Sequence, residues 1–186
     1  MSTMELRLSG SGGQGVILAA VILAEAAVQA GRYTAQSQSY GPEARGGACK
    51  GEVLISDKPI GYTRVRRPSF LMALTQRAMD VYGKDLPADC LVLADESVTP
   101  PEQLSGNAVV SLPILRTARE TIRCEQAANL VAVGCINELL HITDADTMER
   151  SARMHLPRGT EEINLRALAE GEQLASAARP RLDNAV

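Results

Sequence analysis

Aromatic residues are scarce in this chain of 186 residues: there is no tryptophan, and Phe70 is the only phenylalanine. Aromatic side chains make up 3% of the sequence, whereas 45% of the residues are hydrophobic. The core must therefore be built mainly from Leu, Val, Ile, Ala and Met, which suits helices packed on a sheet. The length is enough for one sizeable core and does not demand a second. We expect a single domain over residues 1–178 and a short tail over 179–186.

Basic patches and long apolar runs are also missing. The net charge is -3 and the arginines are scattered, which gives no electrostatic footprint for nucleic acid. The N-terminus lacks the pattern of a signal peptide, and the longest apolar run, GVILAAVILAEAAVQAG, is interrupted by Glu25 and is too short to span a bilayer. These absences predict a cytoplasmic protein that binds neither nucleic acid nor membrane.

The cysteines and histidines show no metal-binding pattern. Cys49, Cys90, Cys124 and Cys135 are separated by 41, 34 and 11 positions, without a C-x-x-C pair. This spacing fits neither a zinc ribbon nor an iron–sulfur cluster. The two histidines have no partner at metal-ligand spacing. We expect no metal site on this chain and four reduced thiols, most of them buried.

The first half of the chain predicts a strand, a helix and a hairpin. The run ELRLSG alternates like a strand and leads through glycines into an apolar helix that ends at Gly31. The run RYTAQ is a candidate short strand. The alternating run CKGEVLIS is followed by turn residues, which predicts a β-hairpin turned at residues 56–59. A helix capped by Ser69 and closed by Gly83 is expected next.

The second half predicts two core strands followed by helices. The strands are DCLVLAD and NAVVSLP, and helical segments follow Thr117, with a capping-box pattern from Thr143 to Asp146 and a last helix from about residue 160. The acids Asp95 and Glu96 at a strand end are better explained as solvated turn residues than as a catalytic carboxylate pair. The order of elements predicts an α/β fold with a mostly parallel sheet, a β-hairpin insertion and C-terminal helices.

A glycine-rich turn lies between the first strand and the first helix. It satisfies G-x-G-x-x-G in the strand-to-helix context in which backbone N–H groups can bind an anion. No acid occurs between Glu25 and Glu43 to hold ribose hydroxyls, and no Lys-Ser/Thr pair follows the last glycine, which argues against NAD and against a P-loop. The glycines are otherwise explained by close helix packing. The candidate site residues are Gly10, Ser11, Gly12, Gly13, Gln14 and Gly15.

A second motif, YGPEARGG, places Tyr40, Glu43 and Arg45 among residues that fix a turn. It is typical of a recognition surface, for a partner subunit or for a phosphate or carboxylate that Arg45 would bind. A solvated loop with an internal contact between Glu43 and Arg45 explains the motif equally well. Asn129 is a further candidate, which can also be explained as a residue at a helix start.

Four segments together resemble the gamma subunit of the 2-oxoacid:ferredoxin oxidoreductases. They are GSGGQG, QSQSYGPEARGGACKGEVLISD, PSFLMALTQRAM and NLVAVGCINELL. The resemblance extends from Leu6 to near Gly171, and QSQSYGPEARGG is most similar to the 2-oxoglutarate branch. It implies a Rossmann-like domain that packs against alpha and beta subunits and has no catalytic activity by itself.

The resemblance also implies where the cofactors bind. Thiamine pyrophosphate, magnesium and iron–sulfur clusters are expected on the partner subunits, and ferredoxin is reached through the complex. The gamma subunit is associated with the coenzyme A side of the reaction. Tyr40, Arg45 and Asn129 join the glycine turn as candidate residues for coenzyme A. The sequence does not reveal which 2-oxoacid is used, and an isolated chain is expected to dimerise through the surface meant for its partners.

One segment departs from the family pattern. Where relatives have a Pro-rich, acidic beginning after the hairpin, this chain reads TRVRRPSF, with Arg64, Arg66 and Arg67, and with Ser69 in place of the acid. The extra positive charge marks either a contact with an acidic subunit or a solvated edge, and the sequence favours the edge. Other functions left open are a pyruvate or indolepyruvate branch, a stand-alone dehydrogenase and an assembly module without ligand.

Overall fold

A computed structural model of the chain describes residues 3–40 and 47–182. The strands are β1 Met4–Ser11, β2 Tyr33–Tyr40, β3 Ala48–Ser56, β4 Phe70–Ala73, β5 Leu91–Asp95 and β6 Val109–Leu112. The helices are α1 Val16–Gln29, α2 Gln76–Tyr82, α3 Ile114–Arg116, α4 Ala128–Leu140, α5 Ala145–His155 and α6 Glu161–Leu182. A π-helical segment, Thr117–Ile122, and a 3-10 turn, Glu125–Ala127, connect α3 to α4.

The six strands form one mixed sheet in the order β2-β3-β1-β4-β5-β6. The pairs β1–β4, β4–β5 and β5–β6 are parallel, whereas β3 pairs with β1 and β2 in the antiparallel sense. This topology confirms the predicted α/β fold with a hairpin inserted beside parallel strands.

The predicted position of the hairpin turn is wrong. Strands β2 and β3 pair from Tyr33 opposite Ser56 to Tyr40 opposite Cys49, so residues 41–47 connect them. Although most of its side chains are polar, β2 pairs along its whole length with β3. Strand β3 lies inside the sheet and is bonded to β1 on its other side. The turn residues after Ser56 only end β3, where the Lys58 N–H donates to Ser56 Oγ at 3.1 Å.

The helix expected to begin at Ser69 is a strand followed by a shorter helix. Phe70–Ala73 forms the central strand β4, and all four of its side chains are buried. A central strand covered on both faces has a continuous apolar run, which sequence periodicity does not distinguish from a buried helix. The cap of α2 is Thr75, whose side chain accepts the Ala78 N–H at 3.3 Å. The helix ends at Gly83, as expected.

Helix α1 covers one face of the sheet at β1, β2 and β3, and α6 contacts β6. Helices α4 and α5 pack against α1 and α6, and all four contribute to the main hydrophobic core. The smaller core on the other face contains Met79 of α2 and side chains of β4 and β5.

The predicted capping box is also wrong: α5 is capped by Asp144, whose Oδ1 accepts the Thr147 N–H at 2.8 Å. Among the described residues, no helix is long and apolar enough to cross a membrane.

Candidate functional site

The glycine turn joins the end of β1 to the start of α1. Gly10 and Ser11 are the last residues of the strand, and the chain then reverses through residues 12–15 into the helix. Gly13 and Gly15 have φ values of 92° and 68°, a left-handed conformation in which a side chain is strained. Helix α1 begins without a side-chain cap. Its first-turn N–H groups therefore lack the partner that a Ser, Thr, Asp or Asn would supply.

Gln14 folds back over the turn. Its Oε1 accepts the Ser11 N–H at 2.7 Å, while its own N–H donates to the Ser11 carbonyl at 3.2 Å. The same oxygen lies 2.6 Å from where a Cβ on Gly10 would sit. A side chain at Gly10 would displace Gln14, and two of the turn's backbone N–H groups, those of Ser11 and Gln14, are occupied within the protein.

Asn129 lies directly behind Gly15. Its Nδ2 would be 2.5 Å from a Cβ on Gly15, and it approaches the Gly15 carbonyl oxygen at 3.5 Å. Its Oδ1 accepts the Leu130 N–H at 3.0 Å, and the residue is 4% exposed. Asn129 thus supports the turn from the core side. This contact crosses 114 positions and explains why an amide stands at the start of α4.

The hairpin brings the second sequence motif to the glycine turn. Cys49 in β3 pairs with Gly10 on one side and with Tyr40 on the other. The Gly12 N–H also approaches the Gly47 carbonyl at 3.4 Å. Both ends of the YGPEARGG loop are thereby placed at the level of the turn. Glu43 and Arg45 lie outside the described residues.

A cavity of about 290 Å³ opens beside the glycine turn. Gly13 and Gln14 form one wall, and the opposite wall comes from the π-helical segment and the 3-10 turn that follows it, including Arg119, Glu125 and Gln126. The Arg119 guanidinium is 59% exposed and lies 3.4 Å from Glu120 Oε1. An exposed pair of this length is weak, so Arg119 is available to an anion in the cavity.

Sequence reasoning missed Arg119 and Gln126. Arg119 is one of several scattered arginines, and nothing in its neighbours marks it as a binding residue. Its place beside the turn depends on the π-helical segment, whose last carbonyls at Thr121 and Ile122 accept hydrogen bonds from Arg166 Nη2 at 3.2 and 2.8 Å. A π-helix is rare and often marks a functional site.

A larger cavity of about 1160 Å³ lies along the edge strand β6. Among the described residues, the charged ones that line it are the acids Asp89 and Glu102, so it is unsuited to an anion. Asp95, expected to be solvated, is 1% exposed. Its carboxylate accepts the Leu115 N–H at 2.8 Å and the Ser97 hydroxyl at 2.6 Å, so this acid is structural.

A buried ionic cluster lies on the face of β1 and β3 opposite α1. Arg7 Nε donates to Glu52 Oε1 at 2.9 Å, Lys50 Nζ donates to the same oxygen at 2.6 Å, and the Ser37 hydroxyl donates to Oε2. Burial raises the pKa of Glu52, but the hydrogen bonds and charges of Lys50 and Arg7 together outweigh it and hold that pKa below its usual value. Glu52 is therefore ionised at neutral pH.

The described residues contain no group of three or more His, Cys, Asp or Glu side chains that could hold a metal ion. Burial raises the pKa of Cys90 to about 11 and that of Cys135 to about 12. Burial also raises the pKa of Cys49. These three thiols are protonated at neutral pH, which suits packing and not nucleophilic chemistry.

Comparison with known proteins identifies the family. Residues 5–174 match the pyruvate ferredoxin/flavodoxin oxidoreductase family. The chain belongs to this family. It is 42% identical over 174 residues to the 2-oxoglutarate synthase subunit KorC of Methanocaldococcus jannaschii, covering 92% of this chain and 93% of that protein. The gamma-subunit resemblance inferred from the sequence, closest to the 2-oxoglutarate branch, is thereby confirmed.

Solved structures share the fold. The keto/oxoacid ferredoxin oxidoreductase gamma subunit from Geobacter sulfurreducens is 38% identical, with a TM-score of 0.85 over 96% of this chain and 99% of that one. The 2-oxoglutarate:ferredoxin oxidoreductase from Magnetococcus marinus, solved with 2-oxoglutarate, coenzyme A and succinyl-CoA bound, gives the same TM-score of 0.85 at 22% identity. The match covers 95% of this chain and 32% of the Magnetococcus chain, so the same fold also occurs within a longer polypeptide.

Proposed function

We propose that this chain is the gamma subunit of a 2-oxoglutarate:ferredoxin oxidoreductase and helps to hold coenzyme A. Thiamine pyrophosphate, magnesium and iron–sulfur clusters belong to partner alpha and beta subunits, which break the carbon–carbon bond and pass electrons to ferredoxin. The full-length similarity to KorC supports the branch. The contribution of this chain is to bind and orient a part of the acyl acceptor.

The observation that carries the proposal is the cavity between the glycine turn and Arg119. A guanidinium binds phosphate through charge-assisted hydrogen bonds, and the left-handed turn at Gly13 exposes backbone to a ligand. The cavity volume of about 290 Å³ is at the lower limit for a small-molecule site. It would therefore hold only a portion of coenzyme A, such as the pyrophosphate, and leave the remainder to a partner subunit.

Two further features fit coenzyme A. Glu125 lines the cavity, and a carboxylate beside an anion site suits a ligand that carries hydroxyl or amine donors next to its phosphates. Arg45 lies outside the described residues, and the motif YGPEARGG makes it a candidate second cation because Gly47, two positions later, contacts Gly12 through its carbonyl.

The test uses the complete complex, assembled from this chain and its alpha and beta subunits. Calorimetry would measure the affinity for coenzyme A of wild type, Arg119→Gln, Arg45→Gln and the control Arg158→Gln, an exposed arginine outside the cavity. Loss of a charge-assisted hydrogen bond is expected to weaken binding about tenfold or more. The control should bind like wild type.

A purely architectural role for the glycine turn is the second candidate. The packing of Gln14 over Gly10 and of Asn129 behind Gly15 favours it, because both contacts form within the protein without any ligand. Unchanged coenzyme A affinity in the Arg119 and Arg45 variants, with intact assembly, would establish this role and overturn coenzyme A binding here.

The branch is tested separately by substrate. The purified complex is expected to reduce ferredoxin with 2-oxoglutarate at a rate at least about a hundredfold above that with pyruvate or indolepyruvate, since a site that binds a second carboxylate rejects analogues that lack it. Preference for pyruvate or indolepyruvate would assign the chain to another branch, whatever the result for coenzyme A.

A further inference from the structure

A basic loop, residues 57–69, connects β3 to β4 without a helix or strand. The side chain of Glu5 in β1 organises it. Its Oε2 accepts the N–H groups of Arg66 and Arg67 at 2.6 and 2.9 Å, and its Oε1 accepts the Tyr62 hydroxyl at 3.0 Å. Both carboxylate oxygens are thus used to fix the loop.

Further hydrogen bonds to Glu5 fix the C-terminal end of the loop. The Ser69 N–H donates to the Glu5 carbonyl at 2.9 Å, and the Glu5 N–H donates to Ser69 Oγ at 3.0 Å. Val65 is 7% exposed and anchors the centre of the loop. Glu5 is 8% exposed, and burying a carboxylate is costly unless its hydrogen bonds are made. A simple connection does not need such an anchor, whereas a surface that must keep one shape does.

The anchored loop presents arginines outward. Arg64 and Arg66 are exposed, and among residues 3–40 and 47–182 neither forms an ion pair. The Arg66 guanidinium stacks over the Tyr62 ring at 5.0 Å, which fixes its direction. Arg67 pairs with Asp89 at 3.0 Å, but both side chains are more than 70% exposed.

The charge of this surface is opposite in sign to the net charge of the whole chain. The net charge is -3, yet the loop carries Lys58 and three arginines, and its one acid, Asp57, lies 3.6 Å from Arg32. Glu5, buried beneath the backbone, and Asp57 offset two of these four positive charges, so the loop stays net positive. A rigid positive patch on an acidic protein is complementary to an acidic protein surface.

We propose that the basic loop docks onto an acidic surface of a partner subunit in the oxidoreductase complex. This inference depends on the proposed function only in assuming that such a complex forms, and it is independent of coenzyme A binding. Arg64 and Arg66 supply the charge, and Glu5 acts as a positioning residue that holds their backbone. The sequence alone favoured a solvated edge because it did not show that the loop is anchored.

The experiment compares two charge-reversed forms of the full chain for binding to the assembled alpha and beta subunits. The test variant is Arg64→Glu/Arg66→Glu. The control is Lys84→Glu/Arg158→Glu, which makes the same change in net charge at two exposed positions outside the loop. Dissociation constants are measured by biolayer interferometry at low and high salt. Circular dichroism and thermal unfolding confirm that each variant is folded.

The test variant is expected to bind about tenfold or more weakly at low salt, with a smaller salt dependence than wild type, because contact charges set both quantities. The control should remain within about threefold of wild type, since charges far from the contact are screened. Equal affinities and salt dependences for wild type and both variants would overturn the proposal, as would equal losses in both variants.

Glu5→Gln separates the shape of the loop from its charge. This substitution makes the chain more positive, so a contact that depended on charge alone would be unchanged or stronger. Because an amide cannot accept through its nitrogen the hydrogen bonds that the carboxylate accepts, the loop should loosen and association should weaken severalfold. Unchanged or tighter association with the Gln variant folded would refute the positioning role. Coenzyme A affinity of the assembled test variant should equal that of wild type, which keeps this result distinct from that of the Arg119 and Arg45 variants.

Discussion

Gly134 of α4 and Gly171 of α6 lie against each other, so that the backbones of the two helices touch. A Cβ on Gly134 would be 3.1 Å from the Gly171 carbonyl carbon and 2.9 Å from the Glu172 nitrogen. A Cβ on Gly171 would be 2.8 Å from the carbonyl carbon of Val131. These neighbours are backbone atoms within helices, which cannot move aside as a side chain can.

Gly134→Ala or Gly171→Ala should therefore destabilise the fold by about 2 kcal/mol or more, as overpacking in a closely packed core does. Urea unfolding measures the loss. Gly106→Ala is the matched control, because a Cβ at Gly106 meets no atom within 4 Å. Equal stability of the Gly134 and Gly106 variants would show that α4 and α6 are not in close contact.

A double-mutant cycle tests the contact between Gly15 and Asn129. Gly15→Ala should be destabilising through both its φ of 68° and the clash with Asn129, and Asn129→Ala should remove the clash. The double variant should then recover part of the loss and keep a backbone penalty of about 1 kcal/mol. Strict additivity of the two free energies of unfolding would contradict this arrangement.

The buried Glu52 cluster predicts a dependence of stability on pH. Because the pKa of Glu52 is lowered in the folded protein, its contribution is fully present above the unfolded pKa of about 4.3 and is lost as the pH falls through the folded value. Glu52→Gln should therefore be less stable than wild type at neutral pH, and the difference should shrink in acid. Urea midpoints at several pH values measure it, and a difference independent of pH would contradict the ionised cluster.

Thiol reactivity should distinguish Cys124 from the other cysteines. Cys124 is partly exposed, whereas Cys49, Cys90 and Cys135 are buried and have raised pKa values. Iodoacetamide at mildly alkaline pH should modify Cys124 first, and all four thiols should react only in denaturant. Peptide mass spectrometry identifies the site, and Cys124→Ser should abolish the fast reaction. Early modification of Cys135 would show that the α4 interface opens readily.

The sequence predicted correctly those helices and strands whose local pattern is compatible with only one structure. Helix α1 follows from an apolar run bounded by glycines, and β5 and β6 follow from short β-rich runs between turn residues. The helix prediction for Phe70–Ala73 failed because a strand buried on both faces does not alternate between polar and apolar residues. The predicted position of the hairpin turn was wrong because β3 pairs with β2, which precedes it in the chain, and not with a strand that follows it.

The candidate site was predicted only in part for the same reason. Glycines in a strand-to-helix turn can be read from spacing, so Gly13 and Gln14 were found. Arg119 was not, because it reaches the turn across 106 positions of sequence through the packing of other elements. Asn129 was noticed, but its role against Gly15 is visible only in three dimensions.

The sequence by itself determined the order of most elements, the glycine turn and the family, since periodicity, turn residues and motif spacing are properties of neighbouring positions. The tertiary structure decided which distant residues share the cavity, which glycines lie at a helix contact and which carboxylate anchors the basic loop. Those relationships depend on close packing and on the pairing of buried polar groups. Both are satisfied between segments that are far apart in the chain, so neither leaves a mark in local sequence.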